Sequence, residues 1–273
     1  MRYYRTTTFG LGARFTPAIK GILIATVAVY VIQHLAGRPF VLLFGLVPNM
    51  VFSRLAIWQL VTYMFLHGGV FHLLFNMFAL WMFGSEVEAE LGTRRFLKFY
   101  FATGVGGALL YLAFRYGSGV PVIGASAGVY GVLVAFAVLF PQRIVTLLLF
   151  LVFPVNLRAW QLAAIFVGIS LLLGITGTAD GVAHLAHLGG AVVGYLFLVG
   201  PRYWERISWE VARQRERKRL EAERKRLRRE EELRRQVDAI LDKINEVGYD
   251  NLSEAEKNLL KEASRILAQK ADA

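Results

Sequence analysis

Gly124-Ala125-Ser126-Ala127-Gly128 sets one serine among small residues, directly ahead of the apolar run at residues 129–140. A Gly-x-Ser-x-Gly segment on a strand-to-helix turn would be the nucleophile elbow of an α/β-hydrolase. Here no strand-like run precedes the serine: residues 116–123, Tyr-Gly-Ser-Gly-Val-Pro-Val-Ile, read as a loop leading into a helix. Two readings of the five residues stay open. Ser126 is a candidate nucleophile with little bulk around its hydroxyl, or the stretch is a small-residue patch against which another helix packs.

The surroundings of this helix are apolar throughout. Of 273 residues 56% are hydrophobic and 13% aromatic, and the mean hydropathy is +0.47, which excludes an ordinary soluble domain. Crossing the hydrocarbon core takes about 20 apolar residues per helix. Six spans are expected, at residues 18–36, 70–86, 95–115, 125–140, 157–176 and 183–199. Residues 37–66 carry Pro39, Pro48, Asn49 and Arg54 among apolar residues and read as an interfacial or partly embedded loop. The run 144–153 is apolar but short and ends at Pro154, so it reads as a membrane-associated connection.

The net charge of +11 is concentrated after Pro201, which fits the positive-inside rule better than nucleic-acid binding. Arg2, Arg5, Arg14 and Lys20 flank the first span, and Arg94, Arg95 and Lys98 lie between the second and third. With an even number of spans, both termini are expected on the cytoplasmic side of a plasma (inner) membrane, with Ser126 toward the outer face. The expected organisation is a cytoplasmic segment at residues 1–17, a six-helix domain at 18–200, a charged helical linker at 201–236 and a small helical hairpin at 237–273. In that hairpin Gly248 interrupts the helical pattern, and Ser253 with Glu256 forms a capping box. The tail reads equally as a solubilising segment touching anionic lipid or as a partner site. Residues 1–16 lead into a long apolar segment with no small-residue cleavage site, so an uncleaved first span is expected.

Ionisable side chains in spans are costly and mark functional sites. Four of the five histidines, His67, His72, His184 and His187, lie in or beside the second and sixth spans, while His34 ends the first. Gly190 and Gly194 share a helix face with His187 and would let a neighbouring helix approach closely. If that neighbour begins at Ser126, His187 can take the serine proton as general base. His72 and Asn76, four apart, can donate to a developing oxyanion together with the Ser126 backbone N–H. An interhelical polar clamp explains that pair equally well. There is no cysteine, which excludes thiolate chemistry. His184-Leu185-Ala186-His187 lacks the glutamate of a zinc hydrolase, so no metal and no cofactor is expected.

These pieces together resemble the rhomboid family of intramembrane serine proteases. The matching residues are Trp58, the run from His67 through His72 to Asn76, Gly84 with Glu88 and Gly92, the serine motif with Tyr130, and Ala186-His187-Leu188-Gly189-Gly190 with Gly194. They cover roughly residues 55–200 in order. The resemblance implies an all-α polytopic membrane protein, a six-transmembrane-helix bundle with a cytoplasmic helical tail. It also implies a Ser126–His187 dyad, an oxyanion hole of His72, Asn76 and the Ser126 backbone, and Tyr130 packed on the histidine. Its substrates would be transmembrane proteins in the lipid bilayer, and Asp180, in the loop before the sixth span, is expected to be solvated rather than a third catalytic member. Two positions depart from the family pattern: Ala127 stands where glycine is common, and Gln59 where arginine is familiar. The alternative from another class is a catalytically inactive rhomboid-like protein that binds membrane clients.

Overall fold

The computed structural model describes residues 15–149, 153–176 and 183–271. The expectations placed on Arg2, Arg5, Arg14 and Asp180 lie outside these residues. The chain divides at Pro201 into two compact units.

In the first unit the apolar helices are α1 (Pro17–Ala36), α5 (Val70–Leu91), α6 (Thr93–Phe114), α7 (Ser126–Leu139), α8 (Ala159–Thr176) and the start of α9 (His184–Val247). Among the described residues, five helical segments are long and apolar enough to cross a membrane, and α7 is a shorter apolar helix. This is an all-α polytopic membrane protein. With 14 residues, α7 rises about 21 Å, less than the ~30 Å hydrocarbon core. It sits in the middle, packed against α5, α6 and α8. Its buried side are Ala127, Gly128, Gly131, Val132, Leu133, Ala135, Phe136 and Ala137, and the small residues among them are what allow neighbours on every side.

Helix α1 starts at Pro17, whose missing N–H and fixed φ suit the first turn. The freed N–H groups behind it are taken by a carboxylate from α5. Ala18 N donates to Glu88 Oε1 at 2.9 Å and Ile19 N to Oε2 at 3.0 Å. The hydroxyls of Thr16 and of Thr93, the latter at 2.7 Å, also donate to Glu88. A negative group at a helix N-terminus is favoured by the helix dipole, so Glu88 ties together α1, α5 and the start of α6.

Between α1 and α5 the chain folds into α2 (Arg38–Phe44), α3 (Pro48–Arg54), α4 (Gln59–Thr62) and a 3-10 turn (Tyr63–Phe65). Gln59, fully buried, holds this loop: its Oε1 accepts from Val47 N at 2.9 Å, and its Nε2 donates to the Leu42 and Leu43 carbonyls at 3.0 and 3.2 Å. Trp58 Nε1 adds a bond to Leu43 O at 2.9 Å. Leu46 then exchanges both backbone bonds with Val122, each 2.9 Å, fastening the loop to the segment that leads into Ser126.

The connection expected between the fourth and fifth spans carries two strands. Residues 144–158 contain strands β1 (Ile144–Leu149) and β2 (Phe153–Arg158), antiparallel with register Ile144↔Arg158 to Leu149↔Phe153. Each strand has six residues, too few for a membrane helix. The β-branched run Ile-Val-Thr favours an extended chain, and Thr146 Oγ1 bonds Asn156 Oδ1 across the pair at 2.7 Å. Helix α8 accordingly begins at Ala159, two residues later than the span expected from residue 157.

The change of composition after Pro201 does not end the helix: α9 continues through Pro201 to Val247. In the second unit Gly248, at φ 84°, ends α9, a 3-10 turn (Tyr249–Asn251) follows, and α10 spans Glu254–Ala271. The capping box closes as expected, with Ser253 N donating to Glu256 Oε2 at 2.8 Å and Glu256 N to Ser253 Oγ at 3.3 Å. Ile240, Leu252 and Ala263 are buried, and a solvent-accessible 2.8 Å ion pair joins Lys243 to Glu256.

Candidate active site

The turn before α7 is built from three long-range contacts. Gly124 N donates to Tyr63 O at 2.9 Å, while Tyr63 Oη donates to Gly104 O at 2.8 Å, linking the turn to α6. Ala125 N donates to His67 Nε2 at 3.4 Å. His67 is itself fixed by α1, for Gln33 Nε2 donates to His67 O at 2.8 Å and His67 N to Gln33 Oε1 at 3.1 Å. Gly124 has φ 132°, a region that L side chains avoid. A Cβ there would also lie 2.8 Å from the His72 ring. Glycine at this position lets the His72 ring reach the serine turn.

Ser126 is the first residue of α7, so its N–H has no carbonyl four residues earlier in the helix to bond and points from the positive end of the helix dipole. Its side chain meets α9. His187 Nε2 and Ser126 Oγ are 2.7 Å apart, with His187 buried and the pair partly so. The approach rests on glycine: a Cβ on Gly190 would lie 2.0 Å from Ala127 O, and one on Gly194 would lie 2.8 Å from Gly131 Cα. Ala127 is buried in this seam, and its methyl fills the space opposite Gly107 of α6, where a second Cβ would come within 2.6 Å. Gly107, with no side chain of its own, leaves room for the Ala127 methyl.

Tyr130, one turn along α7 from Ser126, stacks on the His187 imidazole with centroids 4.3 Å apart and planes inclined by 13°. From α8, Ser170 Oγ donates to Tyr130 Oη at 2.8 Å. His184 stands edge-on to His187 at 5.9 Å.

The predicted oxyanion groups are placed less uniformly. The His72 ring lies beside Gly124, with Gly68 N donating to its Nδ1 at 3.3 Å. Asn76 Nδ2 donates to the His72 carbonyl at 2.8 Å, which leaves its second N–H for another acceptor. His67 is fully buried behind the turn, 5.0 Å and edge-on from His72. Sequence reasoning missed Gln33, Tyr63 and Ser170. Gln33 in an apolar span was visible as a polar outlier, whereas Tyr63 acts through its carbonyl and carries no such signal. Among the described residues no group of three or more His, Asp or Glu side chains is placed to hold a metal ion.

A serine hydroxyl, an imidazole nitrogen in hydrogen-bond reach and a helix-terminal N–H are the kinds of group that acyl transfer requires. Comparison with known proteins identifies the family. Residues 54–202 match the model of the Rhomboid domain, and residues 222–266 match a family of unknown function, DUF6576. The chain is 36% identical over 157 residues to RHOMBOID-like protein 1 of Arabidopsis thaliana, covering 57% of this chain and 38% of that protein. It is 36% identical over 169 residues to Rhomboid protein 1, mitochondrial, of Saccharomyces cerevisiae, covering 58% and 44%. A shorter match, 39% over 90 residues, is to Rhomboid protease GluP of Bacillus subtilis, covering 33% and 17%. The chain thus spans less than half the length of each of these relatives. Because one of them is named mitochondrial, the comparisons carry a multi-pass membrane protein but not the expected plasma membrane.

Proposed function

The chain belongs to the rhomboid family, and from that premise we propose that it is an intramembrane serine endopeptidase working through Ser126 and His187. The observation that carries this reading is the 2.7 Å contact between Ser126 Oγ and His187 Nε2. In the proposed reaction Ser126 Oγ attacks the scissile carbonyl of a transmembrane protein substrate while His187 Nε2 takes the hydroxyl proton. The tetrahedral oxyanion is held by the Ser126 N–H with His72 and Asn76. His187 returns the proton to the leaving amine, and the acyl-serine remains. Water then attacks the ester as His187 accepts its proton, and Ser126 departs as the restored hydroxyl. Tyr130 lies flat on the imidazole, where its ring face favours the transient imidazolium. Gly190 and Gly194 keep α9 at the distance this needs.

The basic residues between the second and third spans and after the sixth support cytoplasmic termini. Ser126 then opens toward the opposite face. The deciding experiment compares wild type, Ser126→Ala and His187→Ala on a transmembrane substrate in liposomes. Cleavage by the wild type alone, with all three folded, is expected. Cleavage retained by Ser126→Ala would remove Ser126 as nucleophile, and a folded wild type that binds but never cuts substrates would favour the client-binding alternative.

A further inference from the structure

Helix α8 faces outward with Ile165, Ile169, Leu171, Leu172 and Ile175, all exposed, and inward with Leu162, Ala163 and Ser170. Ser170 is the polar member of the inward stripe and is fully buried. A serine in an apolar helix commonly returns its hydroxyl to the carbonyl four residues back, as Thr176 of the same helix does toward Leu172 O at 3.0 Å. Ser170 instead donates to Tyr130 Oη at 2.8 Å. One turn earlier, Phe166 sets its ring edge-on to Tyr130 at 6.2 Å and 74°. Tyr130 is therefore held from α8 at its ring and its hydroxyl, while its face lies parallel to the His187 imidazole at 4.3 Å.

We infer that Ser170 is a positioning residue for the reaction, acting through Tyr130 to fix the plane of His187, so that the seat of α8 sets the aim of the base. The inference rests on the proposed Ser126–His187 chemistry and adds a third helix to it. A phenol ring free to turn about its χ angles would carry the stacked imidazole with it and take Nε2 off the Ser126 Oγ line, where small displacements cost rate. Losing the bond therefore lowers turnover.

The test uses the full chain in liposomes with a cleavable transmembrane substrate, in wild type, Ser170→Ala, Ser170→Thr, Tyr130→Phe and the Ser170→Ala/Tyr130→Phe double variant. The expected result is a fall in kcat of about three- to ten-fold for Ser170→Ala and for Tyr130→Phe, the scale of one hydrogen bond, with KM unchanged. The double variant falls no further than either single one, and Ser170→Thr keeps the wild-type kcat. Wild-type kcat in Ser170→Ala, or losses that multiply in the double variant, would overturn the inference while leaving the Ser126–His187 reading intact. If Ser170→Ala does not fold, Tyr130→Phe, which cuts the same bond from α7, decides alone, and an unchanged kcat there overturns the inference. A wild type that neither cleaves substrate nor reacts at Ser126 with a fluorophosphonate overturns the proposed function and this inference with it.

Discussion

Ser126 Oγ and His187 Nε2 lie 2.7 Å apart across 61 positions of sequence, and the two helices that carry them touch backbone to backbone at Ala127 and Gly190. The hydrogen bond is therefore a consequence of helix packing.

Ser126→Ala and His187→Ala should each lower cleavage of a transmembrane substrate by at least about a thousand-fold. The double variant should be no worse than either single one, because groups that act as a unit are lost as a unit. Steady-state cleavage rates of the three variants, normalised to folded protein, check this. Independent, multiplying losses would mean that the two residues do not share one step.

Gly190→Ala should destabilise the fold by about 1–3 kcal/mol, the usual cost of overpacking a tight contact. The obstacle is backbone: the added Cβ meets Ala127 O at 2.0 Å. Gly21→Ala, with nothing within 4 Å of its Cβ, serves as the control and should be neutral or slightly stabilising. Thermal unfolding in detergent distinguishes the two, and activity should fall with stability in Gly190→Ala alone.

Gln59→Leu fills a similar volume but removes the acceptor for Val47 N and the donor to Leu42 and Leu43. Leaving buried backbone groups unpaired costs about 1–3 kcal/mol. We expect lower stability and faster proteolysis of residues 37–58 with Ser126 still reactive. An unchanged unfolding temperature would show that the loop does not depend on Gln59.

Glu88→Ala should free the α1 N-terminus, since Ala18 N, Ile19 N and the Thr16 and Thr93 hydroxyls all donate to that carboxylate. Bonds to a charged group contribute about 1.5–3 kcal/mol, so a loss of that order is expected. Amide exchange should rise first at residues 18–20, and equal protection in the variant would contradict this role.

Glu256 gives the C-terminal hairpin a pH dependence of definite sign. Its carboxyl is pulled from the ordinary 4.5 down to about 2 by hydrogen bonds from the Lys243 side chain and from Ser253. The folded value lies below the unfolded one, so the contribution is complete above about pH 4.5 and disappears as the pH falls toward 2. Amide exchange around residues 252–257 of the full chain should become faster across that window, and Glu256→Gln should remove the pH dependence. Because the group is exposed, raised salt should weaken the effect.

Much of the fold was legible because its signals are local. Span length, the glycine at 248 and the Ser253/Glu256 pair are read within a few residues, and the structure places helices, a break and a capping box there. The hairpin at 144–158 was not legible. Six-residue apolar runs serve strands, core segments and connections alike, and pairing between β1 and β2 decides among them. Helix continuity through Pro201 was likewise hidden, since a proline and a change of charge both normally mark a boundary.

The site divides along the same line. By itself the sequence determined that this is a helical membrane protein with a serine at a helix start, histidines in costly apolar surroundings and glycines spaced for close contact. Only the tertiary structure decided that His187 faces Ser126, that His67 backs the serine turn, and that Gln33, Tyr63 and Ser170 hold the arrangement. The physical reason is that lipid and protein core are equally apolar, so hydrophobic patterning does not report which face of a span turns inward. That choice is made by small residues letting backbones meet and by hydrogen bonds with nowhere else to go, and both depend on partners tens of residues away.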